Sequence, residues 1–223
     1  MQEIKEIVIA DVVLIIAISL TLSGGIFFSS DGPKFLQDFI TFIPIAAVGV
    51  TLSFVLHEMM HKFVAQKYGA IAGFRTSYTG LMITLATGAF GFLLGIPGAT
   101  MIYAHNFSKR ENGIVSLAGP LTNFAVFGVF LIADLILAPP PTSYVGAIIS
   151  FTLFISILLA FFNMLPIYPL DGSKVLAWDR KIYFATMAAI FVLMLYFTPI
   201  SPFTILFMFA IAIFFSLFYR NIL

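Results

Sequence analysis

The chain has 223 residues, 61% of them hydrophobic and 9% charged, with a mean hydropathy of +1.09. Soluble domains run at about half apolar and a quarter charged, so this composition describes a polytopic membrane protein. A net charge of +1, with no basic run beyond Arg180–Lys181, leaves no field for nucleic acid, and zero cysteines exclude disulfides and thiolate ligands.

In chain order, Ile7–Phe28 is long enough to span a bilayer and longer than the apolar core of a secretory leader, so it reads as an uncleaved first span. Asp11 near its start reads as an acid snorkelling to the span end. Ser29–Asp38 is a short turn, and Phe39–Tyr68 is the second helix, with Pro44 in its first turns and Gly69 as its stop. Gly73–Leu85 changes character. Phe74–Ser77 and Leu81–Leu85 are β-rich runs around Tyr78-Thr79-Gly80, which predicts a β-hairpin over 74–85.

Ala86–Ala104 is apolar but broken by Gly88, Gly91, Gly95, Pro97 and Gly98, which argues against a straight helix. Gly113–Ala138 is a third clear span, closed by Pro139-Pro140-Pro141, and Tyr144–Leu165 is a fourth. Ile182–Phe197 and Phe203–Tyr219 complete the set. Lys and Arg in short loops stay on the cytoplasmic side. If 86–104 dips into the bilayer and returns, six spans place ten basic residues on one side and only Lys34 on the other; if it crosses, the split is four against seven. The expected fold is therefore an all-α polytopic membrane protein of about six transmembrane helices, with a short β-hairpin and a re-entrant Gly-rich segment after the second helix. It is a single domain, with a core at 39–174 and flanking helices at 7–28, 182–197 and 203–219. The expected location is the cell membrane, multi-pass.

The second helix carries His57-Glu58-Met59-Met60-His61. Residues four apart share a helix face, so both imidazoles can reach one cation. Glu58 is offset by about 100° around the helix, where a carboxylate can take a proton from a metal-activated water without being a ligand. A polar face turned to water is the plainer alternative. It fits poorly with the apolar run Phe39–Leu56, because an ionisable group in such surroundings costs roughly 2.5–3.5 kcal/mol unless it has a function or a partner. A catalytic zinc takes three protein ligands, so one more must come from elsewhere. Asp171, in a backbone broken by Pro166 and Pro169, is one candidate, and His105 is the other; a turn aspartate would also explain Asp171.

Three motifs together resemble the site-2 protease family of intramembrane zinc metalloproteases: H-E-M-M-H at His57–His61, A-G-P-L-x-N at Ala118–Asn123, and N-x-x-P-x-x-P-L-D-G at Asn163–Gly172. The resemblance covers roughly Phe39 to Lys174. It implies Zn2+ held by His57, His61 and Asp171, Glu58 as general base, and Asn163 holding substrate or the oxyanion. It also implies a membrane-spanning protein substrate, with the lipid bilayer as the other partner; the basic-residue count places the active site towards the cytoplasmic side. The soluble regulatory modules that many family members carry are not found in this sequence. The alternative is a membrane metal-binding or transport protein using the same His/Glu cluster.

Overall fold

The structure, a computed structural model, describes residues 2–95, 97–104, 106–198, 200–201, 203–204 and 210. Helix α1 (Gln2–Leu22) opens the chain. Asp31 then accepts the Lys34 amide at 3.0 Å and Pro33 occupies the first turn, so α2 (Gly32–Val50) begins at Gly32 rather than at Phe39. One π-helical turn, Thr51–Val55, joins α2 to α3 (Leu56–Lys67). The three make a continuous rod of 36 residues. Gly69, at φ +78°, ends it: its amide reaches Gln66 O at 2.9 Å while the Ala70 amide reaches Ala65 O at 3.1 Å. Asp11 does not snorkel. It accepts the Thr51 hydroxyl at 2.7 Å, tying α1 to the rod at the π-helical turn.

The hairpin expected over 74–85 is not formed. Its first run lies in strand β1 (Ile71–Thr76), but Leu81–Leu85 belongs to helix α4 (Tyr78–Ala89). Ser77 starts that helix by accepting the Gly80 amide at 3.1 Å. Gly80, Leu81, Thr84 and Gly88 then fall on one buried face, where Gly88 lets α4 approach the backbone of Ala17 in α1. The partner of β1 is β2 (Gly98–Tyr103), antiparallel, with Ile71 opposite Tyr103 and Thr76 opposite Gly98. Gly98 has φ +146°, and a Cβ there would overlap the Arg75 carbonyl. Ser77 N donates to Pro97 O at 3.1 Å, so residues 77–97 leave the sheet and return to the same point. At about 18 Å, the 12-residue α4 is too short to cross a hydrocarbon layer of about 30 Å.

Helix α5 (Lys109–Leu137) starts in a capping box in which Ser108 Oγ accepts the Glu111 amide and Glu111 accepts the Ser108 amide. Helix α6 (Tyr144–Asn163) follows, then the short α7 (Asp171–Trp178), which the proline-rich sequence did not announce, and α8 (Arg180–Phe197). Among the described residues, four helices are long and apolar enough to cross a membrane: the rod Gly32–Lys67, α5, α6 and α8. Helix α1 has the length, but Glu3, Lys5, Glu6 and Asp11 dilute its apolar character. The expected span 203–219 lies almost wholly outside the described residues.

Two large apolar clusters and a small one form the core. One large cluster gathers α1, the rod, Leu81 of α4, Phe74 of β1 and Ile155 of α6, and the other gathers α5 to α8; the small one joins Ala65 of the rod, Ala70, Ala72 of β1 and Val115 of α5. Phe74 is fully buried, edge-on to Phe54 at 5.7 Å between ring centroids. Burying a phenylalanine stabilises by about 1.5–3 kcal/mol, which fixes the sheet beneath the rod. The two large clusters meet where α3 packs on α5 and α2 on α6.

Candidate metal centre

His57 and His61 stand one turn apart on the buried side of α3, and α7 begins at Asp171, directly opposite them. His61 Nε2 lies 3.0 Å from His57 Nε2 and 3.0 Å from Asp171 Oδ2; His57 Nε2 is 3.4 Å from that same oxygen. The three residues are 3%, 6% and 8% exposed, so no bulk water screens them. Gly172 makes this placement possible. A Cβ there would overlap the carbonyl of Met164, so only glycine lets the first turn of α7 sit against the end of α6.

The protonation of both rings follows from their outer nitrogens. His61 Nδ1 lies 2.8 Å from the Val115 carbonyl, which only accepts, so Nδ1 carries the hydrogen. His57 Nδ1 lies 2.9 Å from Asn123 Oδ1, whose amide nitrogen donates in turn to Ser156 O at 3.1 Å, so this Nδ1 also donates. In the neutral rings both Nε2 atoms are therefore lone pairs, facing each other and a carboxylate. Three buried acceptors at about 3 Å from one another form a cluster that could hold a metal ion. Two imidazoles and one carboxylate form a donor set that suits zinc in a site with an open fourth position.

Helix α5 closes over the cluster at Gly119, where a Cβ would overlap His61 Nε2 and His57 Nε2. This is the physical reason for glycine in A-G-P-L-x-N. The motif brings a bare backbone to the ligands at Gly119 and a hydrogen-bond acceptor to His57 at Asn123.

Comparison with known proteins bears on this geometry. The chain is 44% identical over 140 residues to "Putative zinc metalloprotease MJ0611" of Methanocaldococcus jannaschii, covering 62% of this chain and 72% of that protein. Rip2 of Mycobacterium tuberculosis and YwhC of Bacillus subtilis bear the same designation. They are 32% identical over 141 residues and 28% over 163, and the matches cover 57% and 64% of this chain. The matched segments span 54% of Rip2 and 72% of YwhC. The chain belongs to the site-2 protease family. No protein-family profile and no solved structure matches it.

As a site-2 protease family member the chain is a zinc metalloprotease, and its remaining candidate residues can be placed on that basis. Glu58 is half-buried beside the cluster, and its Oε2 accepts from Thr100 N at 2.9 Å and Thr100 Oγ1 at 2.8 Å. Asn163 ends α6 with its amide donating back to Leu159 O at 3.0 Å, so it is not among the groups gathered around His57, His61 and Asp171. His105 lies outside the described residues. The Asn163–Gly172 turn supplies the third acceptor, Asp171. Sequence reasoning missed Asn123, Val115 and Thr100 as partners of the site. Asn123 stood in a recognisable motif, whereas a backbone carbonyl and a strand threonine leave no sequence signal.

Proposed function

We propose that this site-2 protease family member hydrolyses a peptide bond within or near a transmembrane helix of a membrane-protein substrate. The carrying observation is the position of the acceptor triad: it is buried, at the end of an apolar rod of 36 residues, with tautomers fixed for metal binding. His57, His61 and Asp171 would hold a zinc ion, which would supply Lewis acidity and a water of lowered pKa. Glu58 takes the proton from the attacking water and passes it to the leaving amide nitrogen. Asn163 meets the substrate or its developing oxyanion, a role that needs its amide to leave Leu159 O.

The return of residues 77–97 to their own starting point supports a re-entrant segment, and the basic-residue count supports a cytoplasmic site. An unwound substrate needs a strand edge. The outward amides of Phe74 and Thr76 in β1 are already accepted by Glu3 and Glu6. The β2 edge runs past Glu58, and with Thr100 N–H taken by Glu58, pairing falls to the neighbouring outward group at Ile102.

The test is Glu58→Gln in purified, zinc-loaded protein, assayed on fusions of single transmembrane helices between two soluble tags. Cleavage should vanish while one zinc per chain remains bound. Turnover at even a tenth of the wild-type rate would refute the assignment of Glu58.

A further inference from the structure

The contact between Glu58 and β2 reaches across 42 positions of sequence and is made by one residue. Thr100 presents two donors to the same oxygen, its amide at 2.9 Å and its hydroxyl at 2.8 Å from Glu58 Oε2. The hydroxyl is also 3.0 Å from the Glu58 carbonyl, so it anchors to the helix whichever acceptor its single hydrogen serves. Both carboxylate bonds fall on Oε2. Oε1 is thus the oxygen that the strand does not hold.

The amide faces outward because Thr100 and Phe74 sit opposite each other and each turns its N–H away from its partner, Phe74 to Glu3 and Thr100 to Glu58. Thr100 cannot drift, since β2 is paired to β1 along its length and pinned at Gly98. A glutamate on a helix has three rotatable side-chain bonds, and misplacing a reacting group by about 1 Å can cost 10²-fold in rate. Charge-assisted bonds from two donors on a fixed strand remove that freedom.

We propose that Thr100 is the positioning residue for Glu58, holding Oε2 so that Oε1 is presented to the water and the scissile bond. The inference rests on the reading of Glu58 as the base. It assigns the two-stranded sheet a part in proton transfer besides any part in substrate docking.

The experiment uses two pairs that each differ by one hydroxyl, Thr100 against Thr100→Val and Thr100→Ser against Thr100→Ala, in the full zinc-loaded chain. Each is assayed on the single-helix fusion cleaved by the wild type, with zinc content and thermal midpoint measured alongside. Within each pair, loss of the hydroxyl should lower kcat about 10-fold or more with KM and zinc content unchanged, and Thr100→Ser should exceed Thr100→Val. A merely structural strand threonine would reverse that order, because valine keeps the β-branched shape and serine does not. The proposal is overturned if Thr100→Val stays within 2-fold of wild type or outperforms Thr100→Ser. Should Thr100→Val not fold, the serine–alanine pair decides by the same criterion. Glu58→Gln is run in parallel: if it remains active, the reading of Glu58 fails and takes this inference with it, whereas an inactive Glu58→Gln beside a fully active Thr100→Val overturns only the role of Thr100.

Discussion

Gly119 carries the sharpest consequence at the scale of single residues. The two Nε2 atoms that must face the ion occupy the space a methyl group would fill on α5. Helix packing and metal binding therefore compete for one small volume, and only the absence of a side chain lets both occur. Gly119→Ala should lose at least nine-tenths of the bound zinc, with activity falling in proportion. Gly128→Ala, on the same helix with nothing within 4 Å of its Cβ position, should keep both. Zinc content by atomic absorption compares them, and full occupancy in Gly119→Ala would show that the rings turn aside without cost. His57, His61 and Glu58 were legible in the sequence because a helix converts their spacing directly into position. From the backbone alone Asp171 was legible only as an alternative to His105, because a broken backbone does not say where its carboxylate is aimed; the N-x-x-P-x-x-P-L-D-G motif is what put it forward as the third ligand.

At the scale of elements, sequence and structure part at the sheet. A β-rich run over Leu81–Leu85 suggested a strand beside Phe74–Ser77, but Ser77 is a helix cap and the strand partner lies beyond α4. Pairing across such a distance leaves no local signal, whereas the cap did. The start of α2 was signalled in the same way, by Asp31 and Pro33.

The free edge of β1 was equally hidden. Glu3 Oε1 accepts the Phe74 amide at 3.1 Å and Glu6 Oε2 the Thr76 amide at 3.1 Å, with Lys62 and Arg75 as ion partners. Burial raises the Glu3 pKa, but the bonds from Lys62 and Phe74 outweigh it; the Thr76 amide first, then Arg75, lower that of Glu6. A carboxylate with a depressed folded pKa stabilises above its unfolded value of about 4.3, and that contribution is lost as pH falls through the folded values below it. Amide exchange at Phe74 and Thr76 should therefore accelerate on acidification below about pH 4, relative to the intrinsic rate. In Glu3→Gln/Glu6→Gln the acceleration should already be present at pH 7. Unchanged protection in the double variant would show that the helix, and not its carboxylates, shields the edge.

At the scale of the molecule, the metal centre sits on the seam between the two large apolar clusters. His57 and His61 come from the rod in the first, while Asp171, Asn123 and Val115 come from the α5–α8 group. The rod is about 54 Å long at 1.5 Å per residue, well beyond a hydrocarbon layer of about 30 Å, so it is long enough for its ends to reach opposite sides of one. Lys34 is at one end and Lys67 at the other, the end from which β1 and then α5 follow. The chain has no cysteine, so Lys34→Cys and Lys109→Cys can each be labelled without background. An impermeant maleimide should reach them from opposite faces of sealed vesicles. Labelling from one face would remove the cytoplasmic placement of the site.

The pair Thr76–Gly98 closes residues 77–97 into a ring whose neck is the sheet itself. A ring fixed at its neck can change circumference without moving what the neck holds. Doubling the length of a flexible closed segment costs only about 0.6 kcal/mol, so two to four Gly/Ser residues inserted after Phe92, at the tip, should leave Thr100 against Glu58 and zinc content unchanged. One residue inserted between Thr76 and Ser77 or between Pro97 and Gly98 would instead shift the register, turning the Thr100 amide towards β1. Tolerance to length at the tip and intolerance at the neck, read as cleavage rate, would show that the proton-transfer geometry is independent of the length of the segment beyond the neck.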